Sequence, residues 1–464
     1  MKKISDKTSF DSKNSRIFEQ ASKYALAYIK EIHRRNPFPS STALQNLVDF
    51  DEQLPIKSSD ASDILAKLHT IGSPATTAQT GGRYFGFVTG GAFPVALASK
   101  WLTDVWDQNS GLYAMSPVCS AIESITERWL RELLGLPQMT VTSFLSGSSM
   151  AIFCGLAAAR YRLYQRCGWD FNRKGHRGAP VIRIVAPDSA HSAVIKSLGL
   201  LGFGLDTVEW VATDDQGRLD ITHLPILDNT TIVILQAGNV NTGSFDPFDE
   251  VCMRANEVGA WVHIDGAFGL WASASKELRH LTAGMEKAQS WSVDGHKTLN
   301  TPYDSGMLLC VDQEALTASM QSSGSYLNFS EQRDGMVYTP EMSRRARAIE
   351  LWATLKYLGQ QGVDQLVSQL HERALQFASE LTDNGFKVLN QVVFNQVLLG
   401  FDEDDDYTQK LVSEIQASGE CWVGTSRWDN QLVIRISVCS WVTTKEDISR
   451  SVNAFVAARK LIGS

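Results

Sequence analysis

The N-terminal part of the chain carries apolar residues at the spacing of a helix surface. They recur at every third or fourth position from residue 15 to about residue 75, which predicts several helices. Pro37 and Pro39 interrupt them, because proline has no backbone N–H for a helix interior. A Gly-rich aromatic passage follows at 81–94, and a further helix is predicted from Pro94 towards Trp106.

The middle of the chain alternates short apolar runs with helical patterns. Strands that alternate with helices are typical of a mostly parallel sheet covered on both faces. In such sheets ligands bind beyond the carboxyl ends of the strands. The predicted strands are residues 181–186, 231–238, 261–265, 290–294 and 306–311, and the helices between them include 193–201 and 248–258.

The pattern changes at about residue 325. A long helix is predicted from Arg344 to Leu358, and a final helix begins near Thr443, whose spacing to Glu446 is that of a capping box. Four shorter strands lie between the two helices, at 386–389, 395–401, 422–425 and 432–438. We therefore expect three regions, namely an N-terminal helical arm (1–80), a large α/β domain (81–324) and a smaller C-terminal α+β domain (325–464).

Composition narrows the class of protein. The 464 residues, 44% of them hydrophobic, suffice for more than one core, and the net charge of -8 gives no basic footprint for nucleic acid. Seven cysteines without metal-ligand spacing indicate neither a disulfide framework nor a metal site, and they suit a reducing cytosol. No apolar run approaches the roughly 20 residues of a membrane span, and the N-terminus lacks the apolar stretch of a signal peptide. A cytoplasmic protein without membrane contact is expected.

A carboxylate and an amine follow two successive predicted strands. Asp265 ends the strand 261–265, and His296-Lys297 come just after the strand 290–294. A pyridoxal-5′-phosphate (PLP) enzyme needs such a pair, because lysine binds the cofactor as a Schiff base and the carboxylate keeps the pyridine nitrogen protonated. Each residue alone has a plainer interpretation, a turn cap for Asp265 and a surface amine for Lys297. Their occurrence together favours a PLP site.

Small residues with hydroxyl groups precede a run of residues that strongly favour a helix. Residues 146–149, Ser-Gly-Ser-Ser, place backbone N–H groups and hydroxyls at a helix N-terminus, where phosphate binds. A serine N-cap with a glycine turn is the plainer alternative. His191 follows the strand 181–186 and is placed to stack on a cofactor ring, although a lone loop histidine is often only solvated.

These segments together resemble the group II pyridoxal-dependent decarboxylases, the family of glutamate and aromatic L-amino-acid decarboxylases. The resemblance runs from about Gly82 to near the end of the chain. It implies the fold-type I architecture of PLP-dependent transferases, PLP as cofactor and a homodimer with active sites at the interface. The matching motifs, in chain order, are SGSSMA (146–151), AHSAV (190–194), HIDGAFG (263–269) and DGHKTLNTPYDSG (294–306).

The resemblance also implies roles for individual residues. Lys297 is the Schiff-base lysine and Asp265 the partner of the pyridinium nitrogen, while His191 and Ala267 lie on opposite faces of the ring. The phosphate is held by Ser148, Ser149, Asp294 and His296. The Gly-rich passage lines the substrate pocket or belongs to a dimer core, through Arg83, Tyr84, Phe85, Phe87 and Thr89.

Two departures from the family pattern bear on the site. Many relatives carry a Gly-Thr-Thr turn before Phe-Asp, where this chain has other residues, so Thr242 or Asn239 is expected beside the ring oxygen. Family decarboxylases protonate the product carbon with a tyrosine of a mobile loop. In residues 325–347 the first candidate is Tyr338 and the second is Tyr326. An aromatic anchor that packs the loop down is the alternative role of either tyrosine.

The leading interpretation is a carboxy-lyase of amino-acid metabolism that converts an L-amino acid to the amine and CO₂ through Lys297. The same fold supports transamination and oxidative decarboxylation to an aldehyde. Arg435 would hold a substrate carboxylate in a transaminase, whereas pairing with a nearby acid is its plainer role. A catalytically degenerate binding protein is the third interpretation, and the intact Lys297 and Asp265 speak against it. Glutamate, aspartate, aromatic and diamino acids all stay open as substrates.

Overall fold

A seven-stranded sheet forms the centre of the protein. The computed structural model describes residues 12–320, 331–402 and 404–463. The strands of this sheet are β1 (Val141–Leu145), β2 (Arg183–Pro187), β3 (Val208–Val211), β4 (Thr231–Gln236), β5 (Trp261–Asp265), β6 (Ser290–Asp294) and β7 (Gly306–Cys310). Their order is β1-β7-β6-β5-β4-β2-β3, and within it β7 runs antiparallel to both neighbours while the other pairs are parallel.

Fourteen helices accompany the strands in the part of the chain that the structure describes. They are α1 (Ser12–Glu31), α2 (Ser41–Gln45), α3 (Ala61–Lys67), α4 (Ser73–Ala75), α5 (Pro94–Trp106), α6 (Pro117–Leu134), α7 (Ser148–Arg166), α8 (Phe171–Lys174), α9 (Ser192–Leu200), α10 (Phe248–Val258), α11 (Gln313–Met320), α12 (Ala348–Asp383), α13 (Asp405–Ala417) and α14 (Lys445–Ile462). None of these described helices is long and apolar enough to cross a membrane.

Both faces of the large sheet are buried, and alternate residues of β4 show why. Ile232 and Ile234 join the core formed with α7, α9 and α11. Val233 and Leu235 point the other way and join the core formed with α6, α10 and α12. Because side chains alternate across a strand, a sheet with helices on both faces needs a continuous apolar run such as TIVIL.

A second, antiparallel sheet forms a separate core. Its strands are β8 (Lys387–Val388), β9 (Gln396–Gly400), β10 (Gly424–Trp428) and β11 (Gln431–Ser437), in the order β10-β11-β9-β8. Helix α12 reaches this sheet from the first core and changes direction at Gly359, whose φ of 61° interrupts the helical backbone. Phe377, Ile434 and Phe455 lie in the second core.

The predicted elements are largely present, with two corrections at helix starts. Helix α5 and strands β5 and β6 have the predicted bounds, but α12 begins at Ala348 rather than Arg344 and runs far past Leu358. The capping box of α14 is formed by Thr444 and Asp447, so the prediction of Thr443 and Glu446 was wrong. Thr443 instead donates its hydroxyl to the carbonyl of Gly82 at 2.9 Å.

Parallel strands β4, β5 and β6 end at one edge of the large sheet. Their last residues are Gln236, Asp265 and Asp294, and all three side chains are buried. Asp265 pairs in register with Gln236 on one side and with Ser292 on the other. The fold therefore collects carboxylates from neighbouring strands at the edge where ligands bind in such sheets.

Candidate active site

Lys297 lies in the turn that follows β6, against a carboxylate of the same turn. Its Nζ is 3.2 Å from Oδ2 of Asp294, whose side chain is 1% exposed, whereas the lysine side chain is 18% exposed. An ammonium group paired with a buried carboxylate at a partly open position is held in place and still accessible to a ligand. The plainer interpretation of Lys297, a surface amine, does not describe this arrangement.

The same carboxylate caps the helix that starts at the phosphate-binding motif. Oδ1 of Asp294 accepts a hydrogen bond from the backbone N–H of Ser148 at 2.6 Å, and Oδ2 accepts the Ser148 hydroxyl at 2.8 Å. Ser149 is exposed beside it, and its carbonyl accepts the hydroxyl of Ser197 at 3.3 Å. Asp294 thus fixes the N-terminus of α7 next to Lys297, where the helix dipole favours an anion.

His296 completes the surroundings of this turn. Its Nδ1 accepts the backbone N–H of Ser305 at 3.1 Å, and its Nε2 lies 3.6 Å from Oδ2 of Asp294. A Cβ added at Gly147 would lie 3.2 Å from the imidazole, so the ring borders the phosphate-binding motif directly. Burial lowers the pKa of His296, and the neighbouring Asp294 acts in the opposite direction.

Asp265 is fixed by one of its two carboxylate oxygens. Oδ1 accepts the hydroxyl of Ser292 and the backbone N–H of Ala267, each at 3.2 Å. Among the described residues, no hydrogen bond reaches Oδ2. A buried carboxylate with one oxygen held and the other free is suited to accept a hydrogen bond from a protonated ring nitrogen.

His191 lies where the charges of the site converge. It is the N-cap of α9, and its Nδ1 accepts the backbone N–H of Ala193 at 3.2 Å. Burial lowers the pKa of His191, which also experiences the charges of Asp265, Lys297, Arg435 and Asp294. Residues from motifs that lie apart along the chain therefore act on the charge of one imidazole.

These residues fit PLP by the chemistry of their donors. A phosphate has the N-terminus of α7, where Ser149 is exposed, with His296 beside it. A ring nitrogen has the free oxygen of Asp265, and an aldehyde has the amine of Lys297. Close backbone approach requires glycine at one point: a Cβ at Gly90 would lie 2.1 Å from the carbonyl oxygen of Lys297. This contact explains why a Gly-rich segment accompanies the lysine turn.

The Gly-rich segment divides between the site and the second core. Tyr84 and Phe87 both stack on Trp422, with ring centroids 4.9 Å and 5.5 Å apart. Phe85 is 1% exposed and packs edge-on against Phe377 in the core of the small sheet, which makes it a core residue. Trp422 was missed as a site residue, because only its contacts with a distant segment reveal it.

Arg83 and Thr89 lie at the two ends of this segment. Nε of Arg83 donates to the carbonyl of Glu420 at 2.6 Å, and its guanidinium lies 3.6 Å from Asp447, so it anchors the segment to the small domain. The hydroxyl of Thr89 lies beside that of Tyr303. Tyr303 was also missed by sequence reasoning, although it stands within the motif that carries Lys297.

Two of the predicted site residues, Tyr338 and Thr242, have their contacts with other parts of the protein. Tyr338 lies under Arg333, whose guanidinium is 4.3 Å from the ring centroid, and its hydroxyl accepts the amide of Gln313 at 3.1 Å. This is the arrangement expected of an aromatic anchor. Thr242 donates its hydroxyl to the carbonyl of Gln216 at 2.6 Å, so this hydroxyl hydrogen is already bonded within the protein. Tyr326 lies outside the described residues.

Asn239 and Arg435 complete the comparison with the sequence predictions. The amide of Asn239 donates to the hydroxyl of Ser189 at 3.3 Å, and its carbonyl oxygen accepts the backbone N–H of Asn241 at 2.9 Å. Arg435 on β11 forms no ion pair with an acid among the described residues, contrary to the plainer role predicted for it. Burial lowers the pKa of this guanidinium.

The chain matches one family over most of its length. The pyridoxal-dependent decarboxylase conserved domain matches residues 44–400. The aromatic-L-amino-acid decarboxylase of Bacillus atrophaeus is 26% identical over 419 residues, covering 86% of this chain and 85% of that protein. The L-2,4-diaminobutyrate decarboxylase of Rhizobium meliloti (strain 1021) is 25% identical over 468 residues, covering 96% of this chain and 92% of that protein.

The fold has close counterparts among solved structures. The structure of Oryza sativa TDC with PLP and tryptamine superimposes with a TM-score of 0.90 at 20% identity, over 98% of this chain and 100% of that one. This similarity confirms the predicted fold-type I architecture. With the family match over residues 44–400, it follows that the chain belongs to the pyridoxal-dependent decarboxylase family, with PLP as its cofactor and the decarboxylation of an amino acid as its reaction.

Proposed function

We propose that this enzyme releases CO₂ from the α-carbon of an L-amino acid, with Lys297 as the residue that binds the cofactor and Asp265 as the partner of its ring nitrogen. The observation that supports this most is that Asp265 and Asp294 end adjacent strands at one edge of the large sheet, with Nζ of Lys297 3.2 Å from Oδ2 of Asp294. When bound, PLP supplies the electron sink that accepts the electron pair of the bond broken to CO₂.

Asp265 acts as the fixed negative charge of the site. Its Oδ1 is held by Ser292 and Ala267, so Oδ2 has little freedom to turn away from a ring nitrogen. A preorganised carboxylate stabilises the protonated ring without reorganising during the reaction. Asp294 plays a different part, because both of its oxygens hold Ser148 and one also faces Lys297.

His191 covers the ring as a neutral side chain. Because burial lowers its pKa, the imidazole is uncharged at neutral pH and adds no positive charge that would compete with the ring for Asp265. Ala267 would lie on the other face, where a small side chain leaves room for a flat ring. His296 and the N-terminus of α7 would hold the phosphate.

The substrate carboxylate is assigned to Arg435. Its guanidinium has no acidic partner among the described residues, and its charge acts on His191. A buried arginine without an ion-pair partner is a suitable site for a carboxylate. The substrate side chain would contact the rings of Tyr84, Phe87 and Trp422. After CO₂ leaves, an acid of residues 325–347 supplies the proton that takes its place.

Mixing the PLP-loaded enzyme with a panel of L-amino acids tests this function. We expect release of equimolar CO₂ and amine from at least one of them. Lys297→Ala should abolish it by at least about a thousandfold, while the exposed control Lys356→Ala stays active. No CO₂ from any amino acid would contradict the proposal.

Transamination is the second candidate, because Arg435 is available to hold a carboxylate that stays on the substrate. The three reactions of this fold leave different products: an amine, a keto acid, or an aldehyde with peroxide. Mass spectrometry of the product mixture from one active substrate separates them. A keto acid as the main product would replace decarboxylation by transamination.

A cytoplasmic homodimer belongs to the same proposal. Helix α5 exposes Trp101, Leu102, Val105 and Trp106, and apolar side chains of this size on one exposed helix favour contact with a second copy. The seven cysteines are free, as expected in a reducing compartment. Light scattering that showed a fully active monomer would contradict the dimer.

A further inference from the structure

Four residues, Thr89, Gly90, His296 and Tyr303, connect the Gly-rich segment (81–94) with the turn that carries Lys297. The hydroxyl groups of Thr89 and Tyr303 lie beside each other. The ring of Tyr303 stacks on that of His296, with centroids 4.2 Å apart and planes inclined by 25°. The carbonyl of His296 in turn accepts the backbone N–H of Gly90, the neighbour of Thr89, at 3.3 Å.

These two backbone segments cannot separate easily. Gly90 lies so close to the carbonyl oxygen of Lys297 that a Cβ would be 2.1 Å from it. Gly91 donates its N–H to Oδ1 of Asn300 at 2.5 Å, and the same oxygen accepts the N–H of Trp441 at 3.0 Å. The side-chain link through Tyr303 is therefore added to a rigid backbone contact, which makes its geometry well defined.

The ring of Tyr303 covers one face of the His296 imidazole. Ser305 and Asp294 contact the two ring nitrogens in the plane of the imidazole, and Gly147 lies at its edge. Stacking is the contact that fixes the tilt of the ring. The Tyr303 side chain borders a cavity of about 880 Å³ and is 52% exposed, while burial of its hydroxyl raises the pKa to about 12.

We propose that Tyr303 is a positioning residue, which holds His296 at the phosphate-binding motif through its ring and couples it to the substrate segment through its hydroxyl. The inference rests on the proposed role of His296 toward the cofactor phosphate. PLP binding depends on the ring of Tyr303, whereas the hydroxyl of Tyr303 links the position of Thr89 to that of His296. The phenol stays neutral in this role and transfers no proton.

Titration of the cofactor-free enzyme with PLP, followed by its long-wavelength absorbance, tests the ring. We expect Tyr303→Leu to weaken PLP binding about tenfold and to change the ³¹P chemical shift of the bound phosphate, since the aromatic contact is lost. Tyr303→Phe keeps the ring and should restore both. Tyr303→Leu with wild-type PLP affinity and an unchanged ³¹P shift would overturn the proposal, as would a Tyr303→Phe enzyme as impaired as Tyr303→Leu.

The hydroxyl is tested by a double-mutant cycle on KM. Tyr303→Phe and Thr89→Val each remove one of the two hydroxyls whose coupling is proposed, so each should raise KM about fivefold. The double variant should be no worse than either single one, because the coupling is lost only once. Fully multiplicative effects would show that the two hydroxyls act independently and would overturn the coupling.

Tyr357→Phe is the matched control. Tyr357 is 64% exposed and its ring packs on Phe93, so its hydroxyl should affect neither PLP affinity nor KM. The wild type separates the two possible failures. If it does not bind PLP at Lys297, the proposed function fails; if it binds PLP and releases CO₂ while the Tyr303 variants match it, only the role of Tyr303 fails.

Discussion

The residues proposed for the cofactor side and those proposed for the substrate side of this active site are held in different ways. On the cofactor side, Asp265 and Asp294 are the last residues of adjacent strands and are held by hydrogen bonds of 2.6–3.2 Å. On the substrate side, rings of the Gly-rich segment stack on Trp422 of the small domain, and Phe87 remains 67% exposed. The cofactor side is thus fixed within one sheet, whereas the substrate side is assembled between two cores and can vary with less effect on the fold.

The largest effect on catalysis is expected on the cofactor side. Asp265→Asn keeps the size of the side chain but removes its charge, so kcat should fall about a hundredfold or more. PLP should still bind, because Ser148, His296 and Lys297 remain. Steady-state kinetics and cofactor absorbance measure the two separately. An unchanged kcat would remove Asp265 from the mechanism and with it the contrast between the two sides.

A smaller effect, on substrate binding alone, is expected for Arg435→Met. Loss of a charge-assisted hydrogen bond to a carboxylate should raise KM about ten- to a hundredfold, with PLP affinity unchanged. Arg427→Met on the neighbouring strand β10 is the control, because Arg427 is exposed and pairs with Asp405. Equal KM values for the two variants would show that Arg435 does not bind substrate.

Trp422→Ala tests whether substrate binding can be weakened without a loss of PLP binding. Removal of the ring on which Tyr84 and Phe87 stack should raise KM about three- to tenfold and leave PLP binding intact. Trp210→Ala at the far edge of the large sheet is a control of the same size, since Trp210 is 42% exposed. If PLP binding weakened as much as substrate binding, the two sides would not be separable.

The smallest effect on activity, together with a measurable effect on stability, is expected for His263 on β5. Burial lowers the pKa of His263 on β5 from 6.5 to about 3. The folded value lies below the unfolded one, so the unfolded chain takes up a proton first as pH falls and stability is lost below pH 6.5. The free energy of unfolding should drop by about 2 kcal/mol between pH 6.5 and about pH 5 from this group alone.

Urea unfolding of His263→Gln at these pH values measures that loss. The variant should show a shallower dependence of unfolding free energy on pH, whatever its absolute stability. His280→Gln, at an exposed position, should keep the steep dependence of the wild type. Equal slopes in the two variants would show that His263 takes up no excess proton on unfolding.

The residues proposed for the cofactor side could be named from the sequence because each stands next to a predicted strand end. Asp265 follows an apolar run that can only be a buried strand, and Lys297 follows the next one, so their positions depend on strand ends alone. Trp422 and Tyr303 were not predicted as site residues, because only the folded structure shows which rings they stack on. Arg435 was predicted to hold a carboxylate only in a transaminase. The same limit explains Thr443, whose hydroxyl is taken by Gly82 and leaves the N-cap to Thr444.

The central claim is that the amine of Lys297 holds the cofactor whose ring nitrogen Asp265 faces. Reduction of the PLP-loaded enzyme with borohydride, proteolysis and mass spectrometry locate the cofactor on a single peptide. We expect the phosphopyridoxyl mass on Lys297. Its attachment to another lysine, or its absence from every peptide of an enzyme that releases CO₂, would contradict it.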